Sequence, residues 1–174
     1  VALLRYLTDH VESTVSFMTL DVVNLYTNIT ARLGQEALCY WIEKCRNNID
    51  DRFTTQFVTE ATDLVLKNNI FMFNDRYFHQ VKGTAMGTKM APTYATLTLG
   101  YLEEMLYHRI SEKLGEEYLE FIKMKRYLDD CFIIWSNDES NFNIVYNVFN
   151  TLDPDIKFTM EKKFFRNTLS RCFS

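Results

Sequence analysis

Two aspartates stand side by side in "KRYLDDCFIIW", residues 125–135, a segment otherwise built like a buried strand. Strand side chains alternate between faces, so Asp129 and Asp130 cannot point the same way unless the chain turns there, and a hairpin tip is the expected solution. At a tip both carboxylates are partly solvated and can face a third acid on a neighbouring strand. Asp21, at the end of the apolar run "STVSFMTLD", is the natural third member. Three converging carboxylates are hard oxygen ligands of the kind that hold magnesium beside substrate phosphates, and two such ions about 4 Å apart promote in-line phosphoryl transfer. Taken alone, the pair is more simply accounted for as a solvated Asp-Asp turn with Asp21 elsewhere, because Asp is a common turn residue.

The loop "GTAMGTKMAP", residues 83–92, lies between the two acidic segments and shifts that balance. Its glycines leave backbone free of side chains, so that a planar base pair or a sugar can approach the chain closely. Around it the elements fall into place. A strand ends close to Asp21, and a helix follows with Leu33, Ala37, Leu38, Trp41, Ile42 and Cys45 at helical spacing and Thr30 as N-cap. A second helix covers about 54–67, with Phe57, Ala61, Leu64 and Val65 on one face. "IFMFNDRYFHQV" predicts an aromatic-rich hairpin turning at Asn74 and Asp75. A long helix from about Pro92 to Lys113, the acidic hairpin, a helix from about 140 to 152, a break at Asp153 and Pro154 and the strand "IKFTMEKK" complete the order. This order predicts an α+β domain with helices packed on one face of an antiparallel sheet.

The 174 residues are 47% hydrophobic and 15% aromatic, which suits one compact domain; starting at Val1 and ending in "NTLSRCFS", the chain reads as a fragment of a longer protein. No uncharged stretch exceeds 13 residues, too short to span a bilayer. The cysteines Cys39, Cys45, Cys131 and Cys172 form no CxxC pair, so reduced, mostly buried thiols are expected instead of a zinc site or disulfide framework. A net charge of −4 argues mildly against a polyanion partner, yet Lys157, Lys162, Lys163, Arg166 and Arg171 form a local basic stripe against the single acid Glu161.

Asp21 in "LDVVNLYTNI", the loop "GTAMGTKMAP" and "RYLDDCFIIW" resemble motifs A, B and C of reverse transcriptases, in the form typical of Penelope-like retroelements and more distantly of telomerase catalytic subunits. The spacing of 108 residues from Asp21 to Asp129 fits that family, and the likeness runs from about Phe17 to Lys163. It implies a right-hand polymerase palm with a ferredoxin-like, RRM-like core, partial fingers and no thumb. It also implies an RNA-directed DNA polymerase acting on an RNA template, a DNA primer and dNTP, with two Mg2+ ions (or Mn2+) as cofactors and a nuclear location. By position, Asp21, Asp129 and Asp130 become the catalytic metal ligands, Asp129 foremost and Asp130 as helper, with the backbone carbonyl of Val22 beside them. Tyr26 takes the place of the residue under the nucleotide sugar, where its ring excludes a 2′-hydroxyl. Met86 and Gly87 match the pair that packs near sugar and template base. Lys162 or Lys163, in "KFTMEKK", takes the place of the general acid for the departing pyrophosphate.

The likeness has edges. Met86 stands where many reverse transcriptases carry glutamine, although the Penelope-like pattern has methionine there. The leucine, phenylalanine, leucine, aspartate sequence expected after motif D is replaced by "NTLSRCFS". Finger motifs, a thumb and the GIY-YIG endonuclease are absent, so the isolated piece is not expected to polymerise. The rival reading is an inactive remnant or co-opted palm that binds nucleic acid through the 157–171 stripe. A nucleotidyl cyclase is more remote, because it has no need of the "GTAMGTKMAP" loop.

Overall fold

A computed structural model describes residues 16–136 and 139–164, with Glu139, Lys162, Lys163 and Phe164 described by backbone alone. These residues form two compact units, one built from the strand before Val23, residues 106–152 and the segment from Lys157 onward, the other from residues 23–105 and 153–156.

The first unit holds a four-stranded sheet in the order β4-β5-β1-β6. Its strands are β1 (Ser16–Val22), β4 (Ile122–Tyr127), β5 (Asp130–Trp135) and β6 (Phe158–Phe164), and every neighbouring pair is antiparallel. With β1 central between a hairpin on one side and the last strand on the other, this is the split β-α-β arrangement of ferredoxin-like folds. The expected α+β class, with an antiparallel sheet and helices, is the one found.

Alternation assigns the faces. Met18, Leu20 and Val22 of β1 are buried, while Thr19 and Asp21 between them are exposed. On β5 the buried set is Cys131, Ile133 and Trp135. The helix α5 (Glu139–Phe149) supplies Phe142, Val145, Val148 and Phe149 at helical spacing, all buried. Trp135 meets Phe142 edge-on at 5.7 Å between centroids, and Phe149 meets Phe158 likewise at 5.2 Å. Each such large apolar side chain contributes roughly 1.5–3 kcal/mol on full burial. Polar bonds fix the end of α5: the Tyr146 hydroxyl donates to the Phe158 carbonyl at 3.0 Å, and Asn150 Oδ1 accepts from the Phe158 amide at 2.9 Å.

The second unit contains α1 (Leu25–Asn28), α2 (Ala31–Lys44), α3 (Thr55–Lys67), the hairpin β2 (Ile70–Phe73) and β3 (Arg76–His79), and the first half of α4 (Ala91–Leu114). The expected caps are present. Thr30 accepts from the Leu33 amide at the start of α2, and Thr54 from the Phe57 amide at the start of α3, each satisfying one of the first-turn donors. Leu33, Ala37, Leu38 and Ile42 are the buried stripe of α2. Asn74 and Asp75 both have positive φ, at 49° and 56°, the type I′ geometry that suits a two-residue hairpin. Pro92 sits in the first turn of α4, where its missing amide has no intrahelical partner to lose.

Two expectations change. The apolar face of α3 is exposed: Phe57 is 54%, Leu64 66% and Val65 39% accessible, and the helix buries only Thr62. Periodicity identifies an apolar face, but nothing among the described residues covers this one. Of the thiols, Cys131 is buried while Cys39 and Cys45 are half-exposed, because β5 is a core strand and the other two lie toward the rim of α2; Cys172 lies outside the described residues.

Tyr94 is the least comfortable group in this unit. It is 2% exposed, and its hydroxyl has no hydrogen-bond partner among the described residues. Burial first, and the nearby Asp63 charge second, push the phenol up to about 12. A group whose ionisation is resisted only in the folded state stabilises fully below its unfolded pKa of about 10 and loses that stability as pH rises toward the folded value. Denaturant midpoints measured from pH 9 to 12 should therefore fall more steeply in the wild type than in a Tyr94→Phe variant, and parallel curves would refute this. Near neutral pH the same variant should be as stable as the wild type or more so, because it deletes an unsatisfied polar atom.

Candidate functional site

Within the first unit the fold carries all three acids to one end of one sheet. β1 and β5 run antiparallel from Ser16–Trp135 to Leu20–Cys131. One further step in that register sets Asp21 opposite Asp130, and both are exposed on the face away from Leu20 and Cys131. Residues directly opposite on antiparallel strands have Cβ atoms about 4.5–5.5 Å apart, so two like charges there repel. On its other side Asp21 pairs with Thr159 of β6, whose hydroxyl donates to the Asp21 carbonyl at 3.4 Å. Val22 pairs with Phe158, and its side chain is buried.

The tip of the acidic hairpin falls one residue earlier than expected. Tyr127 pairs with Asp130, so the two-residue turn is Leu128–Asp129 and Asp130 opens the returning strand. Leu128 has φ 54° while Asp129 does not share the positive φ, which is the pattern of a II′ turn, normally led by glycine. Holding leucine in that region costs of order 1–3 kcal/mol. Arg126 Nη1 donates to the Leu128 carbonyl at 3.1 Å, which ties the strained residue to the strand before it. The result is a half-buried Asp129 in the turn beside an exposed Asp130. The sequence singles out Asp129 as the partner of Asp21; the register sets Asp130 across from Asp21 and leaves Asp129 just beyond.

Among the described residues no three His, Cys, Asp or Glu side chains are drawn together into a cation cage, and neither Lys nor Arg is bonded to Asp21, Asp129 or Asp130. In kind the donors suit a hard divalent ion: carboxylates only, at one sheet end, with no cation among the described side chains neutralising them. Lys162 and Lys163 fall on β6 opposite Met18 and Phe17, and their side chains lie outside the described residues, as do Arg166 and Arg171. Of the basic stripe, Lys157 donates to the Asn150 carbonyl at 2.9 Å.

The other residues singled out from the sequence belong to the second unit. Tyr26 lies on α1, a single turn launched by Asn24 at φ 47°. Thr27 Oγ1 donates to the Asn24 carbonyl at 3.0 Å and Asn28 Nδ2 to the Val23 carbonyl at 2.9 Å. The spacing of "NLYTN" is thus a small self-bonded turn that presents a half-buried tyrosine. Met86 is 74% exposed. The two loop glycines differ. A Cβ on Gly87 would meet no atom of the described residues within 4 Å, so packing among them does not require glycine there and the backbone is open to approach by a ligand. Gly83 has φ 78°, and a Cβ there would overlap the Tyr26 carbonyl oxygen and lie 2.6 Å from the Thr27 Cα. The residues missed by sequence reasoning are Gly83 and Thr84 as contacts of Tyr26, and Leu128 as the strained turn residue. The doubled glycine was a visible signal for the first; a leucine gives no turn signal at all.

No protein-family model matches the chain, and no curated protein does. Among solved structures it is similar to an apo telomerase from Candida tropicalis, truncated from its C-terminal domain, with a TM-score of 0.65 and 12% sequence identity. The similarity covers 88% of this chain and 32% of the telomerase chain, so this chain spans about a third of that protein's length. What the two share is the fold: an antiparallel sheet backed by helices, extending over nearly all of the present sequence.

Proposed function

We propose that the chain is the palm region of an RNA-directed DNA polymerase, of the Penelope-like retroelement kind, which adds dNTP to a primer 3′ end on an RNA template. The observation that carries this reading is that Asp21, Asp130 and the Leu128–Asp129 turn lie at the same end of a ferredoxin-like sheet. The fold likeness to a telomerase, itself related to reverse transcriptases, supports it at the level of fold.

In this reading Asp21, Asp129 and Asp130 would hold two Mg2+ ions, with the Val22 carbonyl beside them. When bound, the ions supply activation of the primer 3′-hydroxyl and neutralise charge on the phosphoryl group and pyrophosphate. The 3′-oxygen forms its bond to the α-phosphorus as the bond between that phosphorus and the bridging oxygen breaks, and pyrophosphate leaves. Tyr26 would exclude a ribose 2′-hydroxyl, Met86 and Gly87 would pack against sugar and template base, and Lys162 or Lys163 would protonate the leaving group. RNA template, DNA primer and a nuclear location belong to the same proposal.

The test is primer extension by the full protein that contains this chain, on an RNA template with Mg2+ and with EDTA. Mg2+-dependent, template-directed incorporation is expected. A protein that extends no primer, yet binds RNA with salt sensitivity unchanged by Asp21→Asn or Asp129→Asn, would instead be a nucleic-acid-binding palm without catalysis.

A further inference from the structure

We infer that Gly83 and Thr84 are positioning residues that set where Tyr26 stands, and through it the choice between deoxyribose and ribose. The inference rests on the reading of Tyr26 as the residue beneath the nucleotide sugar.

One turn of helix does not sustain itself, because fixing its backbone costs more than its few hydrogen bonds return. α1 has only four residues, and the Tyr26 carbonyl is among those that such a short helix leaves without an internal partner. The Thr84 amide supplies that partner, donating to the Tyr26 carbonyl at 2.8 Å. Gly83 makes the approach feasible. Its φ of 78° turns the loop onto α1, and the space a side chain would need is filled by the backbone of Tyr26 and Thr27, which cannot rotate aside.

Two further observations show that the contact is built. Thr84 is 1% exposed and its hydroxyl is buried with no hydrogen-bond partner among the described residues, an unfavourable state retained where the backbone amide is bonded to Tyr26. Just before Gly83 the loop is anchored twice: the Gln80 amide donates to the Asn69 carbonyl at 2.8 Å, and Lys82 Nζ meets Asp155 Oδ1 at 2.6 Å. Asp155 is held in turn through its amide by Asp153 Oδ1 at 2.9 Å, and Asp153 Oδ2 bonds Arg32 at 2.7 Å. The Tyr26 backbone is thereby referred to a network of fixed groups instead of to its own short helix. Displacements on the order of 1 Å in a group that excludes a substrate atom are enough to change discrimination.

The experiment uses the full protein and two readouts: the ratio of kcat/KM for dNTP over rNTP, and hydrogen exchange at the Thr84 amide. In Gly83→Ala the amide should exchange faster and the ratio should fall by about tenfold or more, chiefly through improved relative use of rNTP. Lys82→Met, which loosens an exposed anchor and leaves the fold alone, should lower the ratio less, by about twofold to threefold. A folded Gly83→Ala protein that keeps the wild-type ratio, or whose rates for both sugars fall together, overturns the inference. If Gly83→Ala does not fold, a wild-type ratio in Lys82→Met overturns it. A wild-type protein that extends no primer at all refutes the polymerase reading, while the exchange readout still decides whether the Thr84 amide is held.

Discussion

In the polymerase proposed above, replacing Asp21 with Asn in the full protein that contains this chain is expected to lower template-directed dNTP incorporation by at least about 10³-fold while leaving the metal-free protein as stable as before or slightly more so. The two halves of this expectation have one cause. Asp21 and Asp130 stand one step past the Leu20–Cys131 pair that ends the β1–β5 register, both exposed and neither bonded to a basic side chain among the described residues. Without a cation they repel, and relief of a like-charge cross-strand pair is worth about 0.2–1 kcal/mol. In the proposed function the same pair would help hold a divalent cation, so Mg2+ should raise the melting temperature of the wild type in a concentration-dependent way and raise that of the variant far less. Asn keeps the shape and one acceptor oxygen but not the charge, which separates loss of a ligand from loss of packing. An Asp21→Asn protein that extends primers at wild-type rate, or whose thermal response to Mg2+ matches the wild type, would remove Asp21 from the site.

That expectation was within reach of the sequence because its elements announce themselves. An apolar run ending in aspartate becomes β1, Thr30 and Thr54 cap their helices, and Asn74–Asp75 turns a hairpin in the geometry those residues favour. These are local signals, fixed by side-chain hydrogen bonds and by the few residues that tolerate positive φ. What the sequence hides is set by partners far away along the chain. The turn of the acidic hairpin is placed by the pairing of Tyr127 with Asp130 and so falls on Leu128, a residue that by itself would never choose that conformation. The α3 stripe of Phe57, Leu64 and Val65 has the period of a buried face, but period reports only that a face is apolar. Gly83 and Gly87 look alike in "GTAMGTKMAP", yet one is demanded by the Tyr26 backbone and the other by nothing among the described residues. The opposition of Asp21 and Asp130 likewise needs the strand register, which the order of motifs does not contain.

The helix α2 offers a case where composition and packing give opposite forecasts, and Gly34→Ala decides between them. In an exposed helix interior alanine is favoured over glycine by about 1 kcal/mol, so propensity alone predicts stabilisation. Gly34, however, is buried, and a Cβ there would overlap the hydroxyl oxygen and Cζ of Tyr94, with Cε2 at 2.7 Å. Tyr94 has no free space to retreat into at 2% exposure, and its ring is the far end of a side chain rooted in the first half of α4. Overpacking of this kind typically costs about 1–3 kcal/mol, and a direct overlap with an aromatic ring belongs at the upper end, so the net expectation is a loss of about 2 kcal/mol or more in denaturant unfolding. The overlap also dictates which second change rescues it. Tyr94→Phe removes the hydroxyl but leaves Cζ in place and should restore little. Tyr94→Leu removes the outer ring and should recover much of the loss, giving a large coupling in the double-mutant cycle. Stabilisation by Gly34→Ala, or equal rescue by Phe and Leu, would show that α2 and α4 do not meet at this point as the structure places them.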